Sequence, residues 1–124
     1  MAKVNVVEKK VQMGQRDIIK FQLMTHFFIT HTQISPSELE CLTLLGAYGE
    51  CNLSDFCNSA VEEDIFKVPQ TVRNFIGRAE KNRFIIKRDG QSKKKILLNP
   101  ELLVQTEGNI LLNYKVAHIA PEKS

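Results

Sequence analysis

The sequence has no tryptophan, only two tyrosines and only three cysteines in 124 residues. No apolar run approaches the roughly 18 residues that a membrane-spanning helix needs. The first residues show no basic stretch followed by an apolar run and a small-residue cleavage site. The protein is therefore expected to stay where it is made, in a cytoplasm. Cys41, Cys51 and Cys57 are odd in number and form no Cys-x-x-Cys pair. This excludes a disulfide framework and fits reduced thiols. Cys51 and Cys57 have no histidine nearby, so no zinc site is expected.

Catalytic signatures are equally scarce. Neither the Gly-x-x-x-x-Gly-Lys nor the Gly-x-Gly-x-x-Gly spacing occurs. His26 and His31 are five residues apart and share no helix face well, while His118 sits in a strand pattern. Each reads as a surface or half-buried histidine rather than a base. Glu62, Glu63 and Asp64 lack the Asp-x-Asp-x-Asp-Gly frame of a calcium loop and read as a solvated face. No enzymatic activity, cofactor or metal is expected.

Against these absences stand 25% charged and 43% hydrophobic residues, ordinary for one globular domain. The net charge of +3 hides an uneven distribution. From Ser35 to Phe66 there are seven acids and no Lys or Arg. From Arg73 to Lys95 there are nine bases and two acids. Such a split predicts a surface with an acidic and a basic side, able to dock head to tail between copies.

Hydrophobic spacing gives the elements. Residues 3–11 are valine-rich and read as a strand that Gly14 ends. From Arg16 to Thr32, Ile19, Leu23 and Phe27 step by four beside Met24 and Phe28. That segment is apolar over more than one stripe, so it must be buried in the core or against a partner. A membrane-surface role is disfavoured, because its polar face lacks a row of Lys and Arg. Ser35-Pro36-Ser37-Glu38 has the form of a capping box with proline at the first helical position. Leu39, Leu42 and Leu44 or Leu45 follow, and Gly46 and Gly49 are read as the stop. Leu53 reads as a one- or two-residue strand, and Ser54 as the cap of a second helix carrying Phe56, Cys57 and Val61. Pro69 opens a third helix with Val72, Phe75, Ile76 and Ala79 inward. A strand over 84–87, an Asp-Gly turn at residues 88–92 and a strand over 93–98 come next. A final strand over 110–119 could pair with the first strand or with another chain.

The order helix, short strand, helix, turn, helix, strand, basic turn, strand resembles the winged helix-turn-helix family. The resemblance covers residues 35–100 and implies an α+β fold. The predicted organisation is an N-terminal strand and helix arm over 1–34, the winged helix over 35–100, and a C-terminal strand and tail over 101–124. The resemblance also implies duplex DNA as a partner. Gln70, Thr71, Arg73 and Asn74 would stand at the groove-reading end of the third helix, with Arg78 further along. Arg88, Lys93, Lys94 and Lys95 on the wing would meet phosphates. The segments ELECLTLLG (38–46), IFKVPQTVRNFIGRAEK (65–81) and TEGNILLNYK (106–115) are similar to small proteins of Bacteroides phages, crAss-like phages included, and of mobile elements. That likeness implies either a DNA-binding regulator in the host cytoplasm or a virion component near the portal, neck and tail. In the second case the winged helix would join neighbouring subunits of the particle. A homo-oligomer is expected either way.

Overall fold

The computed structural model describes residues 4–12, 14–89, 94–106 and 111–120. The elements run β1 (Val4–Gln12), α1 (Gln15–Ile29), α2 (Pro36–Tyr48), β2 (Cys51–Asn52), α3 (Leu53–Glu62), α4 (Pro69–Lys81), β3 (Ile85–Asp89), β4 (Lys94–Leu98), a 3-10 turn (Pro100–Leu102) and β5 (Leu111–Ile119).

The core is built around α2. Its capping box forms as the sequence predicts: the Glu38 N–H donates to Ser35 Oγ at 3.2 Å, and the Ser35 N–H donates to Glu38 Oε1 at 2.9 Å. Leu39, Cys41, Leu42, Leu44 and Leu45 are all buried, so this helix is apolar over most of its circumference and must be covered from several directions. Ile19, Leu23 and Phe27 of α1 cover one side. Phe56, Cys57 and Ala60 of α3, and Val72, Phe75, Ile76 and Ala79 of α4, join the same core. The helix read as part of an N-terminal arm thus contributes to the central core. The buried Thr43 hydroxyl donates to the Leu39 carbonyl at 2.9 Å, which satisfies it without a partner from another element.

Gly46 does not end α2, contrary to expectation. The helix continues to Tyr48 and stops at Gly49, whose φ of 73° is the left-handed conformation glycine takes most easily. Gly46 is instead a point of close approach. A β-carbon there would lie 2.8 Å from Leu98 Cδ1 and 3.0 Å from Ile19 Cγ2, so α1 and β4 both press on the bare backbone.

The wing sheet has the order β2-β4-β3 and is antiparallel throughout. The short strand is Cys51–Asn52, so Leu53 is already helical. Asn52 rather than Ser54 occupies the cap position of α3, without a side-chain cap bond. Ile85 and Ile96 anchor the sheet in the core. Asn99 closes the hairpin: its side chain donates to the Arg83 carbonyl at 2.8 Å and its N–H to the Phe84 carbonyl at 2.9 Å.

After the 3-10 turn the chain returns along α1. Gln22 donates to the Gln105 carbonyl at 3.0 Å and accepts from the Gln105 N–H at 2.8 Å. β5 pairs antiparallel with β1 from Val4↔Ile119 to Gln12↔Leu111. The final strand's partner is therefore the first strand of the same chain. The pair forms a separate two-stranded ribbon.

Gly46→Val is expected to overpack the α1–α2–β4 junction and cost about 1–3 kcal/mol. Urea unfolding followed by circular dichroism measures it as a lowered midpoint.

Candidate nucleic-acid interface

Helix α4 positions the polar residues singled out above. Pro69 stands at its first turn, and Val72, Phe75, Ile76 and Ala79 take the buried stripe. Gln70, Thr71, Arg73, Asn74 and Arg78 are consequently all exposed. They are not free of one another. The Gln70 side-chain amide donates to Asn74 Oδ1 at 2.9 Å, one turn along. Arg73 donates to Ser54 Oγ of α3 at 3.1 Å, so the hydroxyl read as a helix cap instead orients a guanidinium. Arg78 donates to Glu38 Oε2 at 3.1 Å and lies 5.9 Å from the centre of the Phe75 ring. Burial would raise the Glu38 pKa. The hydrogen bond from the Ser35 backbone and the Arg78 guanidinium outweigh it and hold the carboxyl below its ordinary value. The increment is present above the unfolded pKa and is lost as pH falls through the folded one.

The wing lies next in sequence. Its register sets Arg88 opposite Lys95 and Asp89 opposite Lys94. Arg88 is thus a strand residue, because β3 runs to Asp89, two residues into the segment read as a turn. It lies 4.0 Å from Glu50, and Lys87 lies 3.8 Å from Glu80 of α4. Lys94 and Lys95 are exposed and, among the described residues, carry no ion pair. Lys93 and the Gly90-Gln91-Ser92 part of the turn lie outside the described residues.

The acids of the 35–66 segment meet bases within the same chain, two from the basic segment and two from α1. Glu38 pairs with Arg78, Glu50 with Arg88, Glu63 with Arg16 at 2.6 Å, and Glu40 with Lys20. The expected division into an acidic and a basic side is therefore partly neutralised internally. Among the described wing residues, Lys94 and Lys95 are left without an ion pair.

Sequence reasoning passed over Gly77. A β-carbon there would meet nothing within 4 Å. Glycine inside a helix costs roughly 0.5–1 kcal/mol relative to alanine, and no neighbour among the described residues requires it here. The sequence signal was a glycine in the middle of an otherwise well-formed amphipathic helix. It leaves room for a second molecule to approach the α4 backbone.

The thiols offer no reactive group. Burial pushes Cys41 up to about 12 and Cys51 up to about 11. It also raises Cys57, partly offset by the Arg73 charge. At neutral pH all three are thiols, which are poor nucleophiles.

Helices α2, α3 and α4 with the β2-β4-β3 sheet define a mixed α+β winged helix-turn-helix. No family model matches the sequence, and no curated protein does. Among solved structures, the chain is similar to the ferric uptake regulator Fur of Helicobacter pylori, a protein described with three functional metal-binding sites. The two are 11% identical with a TM-score of 0.51, over 84% of this chain and 73% of that one. At that identity the likeness concerns the fold. Among the described residues, no three His, Cys, Asp or Glu side chains converge as metal ligands. Among them, too, no helix is long and apolar enough to cross a membrane.

Gly77→Ala is expected to stabilise the protein by about 0.5–1 kcal/mol. Thermal melting reads the gain as a raised Tm. An unchanged or lowered Tm would mean that the β-carbon meets an obstacle.

Proposed function

We propose that the protein is a DNA-binding regulator that reads duplex DNA through α4 and the β3–β4 wing. The carrying observation is the outer face of α4. Its N-terminal half presents Gln70, Thr71, Arg73 and Asn74 together, all exposed, with the helix held rigidly from behind by four buried apolar residues. The major groove admits one helix, Arg can bond guanine bidentately, and Asn or Gln can bond adenine. The open backbone at Gly77 suits close approach. Lys94 and Lys95, together with Lys93, would contact phosphates, which fix register and affinity but carry no base sequence. Arg78 and Arg88 are secondary contributors, because Glu38 and Glu50 already compete for them. The likeness of segments 38–46, 65–81 and 106–115 to phage and mobile-element proteins suggests regulation of such an element, in the host cytoplasm and without catalysis.

A second reading rests on a different observation. Among the described residues, the β1–β5 ribbon has two open edges, each able to accept another strand. A virion component would use that ribbon and the winged helix as an assembly module.

Fluorescence anisotropy with duplexes selected from a random pool tests the first reading. The affinity should fall steeply with salt. Lys94→Ala with Lys95→Ala should weaken binding to all sequences and reduce the salt slope by about one for each phosphate no longer neutralised. Arg73→Ala should relax preference at one base pair, a loss of about 1–3 kcal/mol. No duplex binding at low salt would overturn the proposal. An unchanged slope in the lysine variant would remove the wing from it.

A further inference from the structure

Arginines of α4 and the wing have two kinds of partner. Arg78 and Arg88 lie against carboxylates, those of Glu38 and Glu50. Arg73 has no ion pair among the described residues and donates instead to the Ser54 hydroxyl, at 3.1 Å. The two residues are 19 positions apart and belong to different helices. Asp55, the acid next to Ser54, is engaged elsewhere: it accepts from Asn52 Nδ2 at 3.1 Å. The difference has a chemical consequence. A carboxylate fixes a guanidinium and neutralises it, whereas a hydroxyl fixes it and leaves its charge.

Ser54 is a firm point of attachment. It stands in the first turn of α3, whose Leu53, Phe56 and Cys57 are buried in the core. The Arg73 charge also offsets part of the effect of burial on Cys57, one turn after Ser54, so the guanidinium lies along α3. A guanidinium carries five N–H donors. One is spent on Ser54, and the four that remain exceed the two that a fork on guanine uses.

We infer that Ser54 is a positioning residue for sequence reading: from α3, without touching a base, it holds Arg73 in the orientation that reads guanine. This rests on the proposal that α4 reads duplex DNA. An unrestrained arginine reaches phosphates as readily as bases, and phosphates carry no sequence. It also loses rotamer freedom on docking, and Ser54 removes part of that loss before DNA arrives. Gln70 and Asn74 are set differently, by a hydrogen bond within α4 that does not involve α3. They supply a control on the same duplex.

The test is fluorescence anisotropy of the full chain with a selected duplex and with variants of it changed at single base pairs. Arg73→Ala first marks the base pair that Arg73 reads. Ser54→Ala should lower the preference at that pair about fivefold. Preference at the other pairs, affinity for a duplex without the site and the salt slope should stay as in the wild type, because the charge is still present. Ser54→Thr keeps the hydroxyl and should keep the preference. In the Arg73→Ala background, Ser54→Ala should have no further effect. The melting curve of Ser54→Ala should be unchanged, since Ser54 is exposed and caps no helix. Selective binding that ignores Ser54→Ala would overturn this inference alone. So would an equal loss at every base pair, additivity with Arg73→Ala, or a threonine that fails to rescue. A wild type that binds no duplex at low salt would overturn the DNA proposal and this inference with it.

Discussion

A helix that is apolar over most of its circumference dictates this structure. Leu39, Cys41, Leu42, Leu44 and Leu45 spread around α2, and no single neighbour can cover them. Three other helices and a small sheet must wrap it, which is a large demand on a short chain. Gly46 is where the wrapping is tightest, with Ile19 and Leu98 resting on the same bare α-carbon. Once α4 has committed Val72, Phe75, Ile76 and Ala79 to the core, its remaining residues have only outward directions. The polar outer face of α4 is thus a by-product of covering α2, held rigid by the same burial.

Charge is organised around that frame rather than across it. The acids of α2 and the following turn are engaged largely by Lys20, Arg16, Arg78 and Arg88 of the same chain. Exposed pairs of this kind add little stability, typically under about 1 kcal/mol each. Their effect is on what remains free. The wing keeps Lys94 and Lys95 uncompensated, while α4 keeps Gln70, Thr71 and Asn74 as neutral hydrogen-bonding groups. Arg73 is held beside them by Ser54. In the proposed reading, that combination of neutral hydrogen-bonding groups beside a cationic hairpin would separate sequence reading from affinity.

Local rules made much of this visible in the sequence. The capping box at Ser35 and Glu38 depends on four consecutive residues, and the inward stripe of α4 on spacing alone; both hold in the structure. Where tertiary contacts decide, the sequence was silent or misleading. Gly46 looks like a helix stop, and only the approach of Leu98 and Ile19 reveals it as a packing position. Ser54 looks like a cap, but its hydroxyl serves Arg73 from a different helix. The charge split was plain in the sequence, whereas the internal pairing of Glu38 and Glu50 depends on residues 40 and 38 positions away. Nor could spacing choose between partners for the last strand, because its pairing with β1 joins the two ends of the sequence.

The central claim is that α4 and the wing form the face that meets DNA. Backbone amide exchange of the free protein and of its complex with a selected duplex tests it most directly. The expected result is protection concentrated at residues 69–78 and at the β3–β4 hairpin, with α2 unchanged because it is already buried. Protection confined to α1 or to the β1–β5 ribbon, with α4 exchanging as in the free protein, would contradict it.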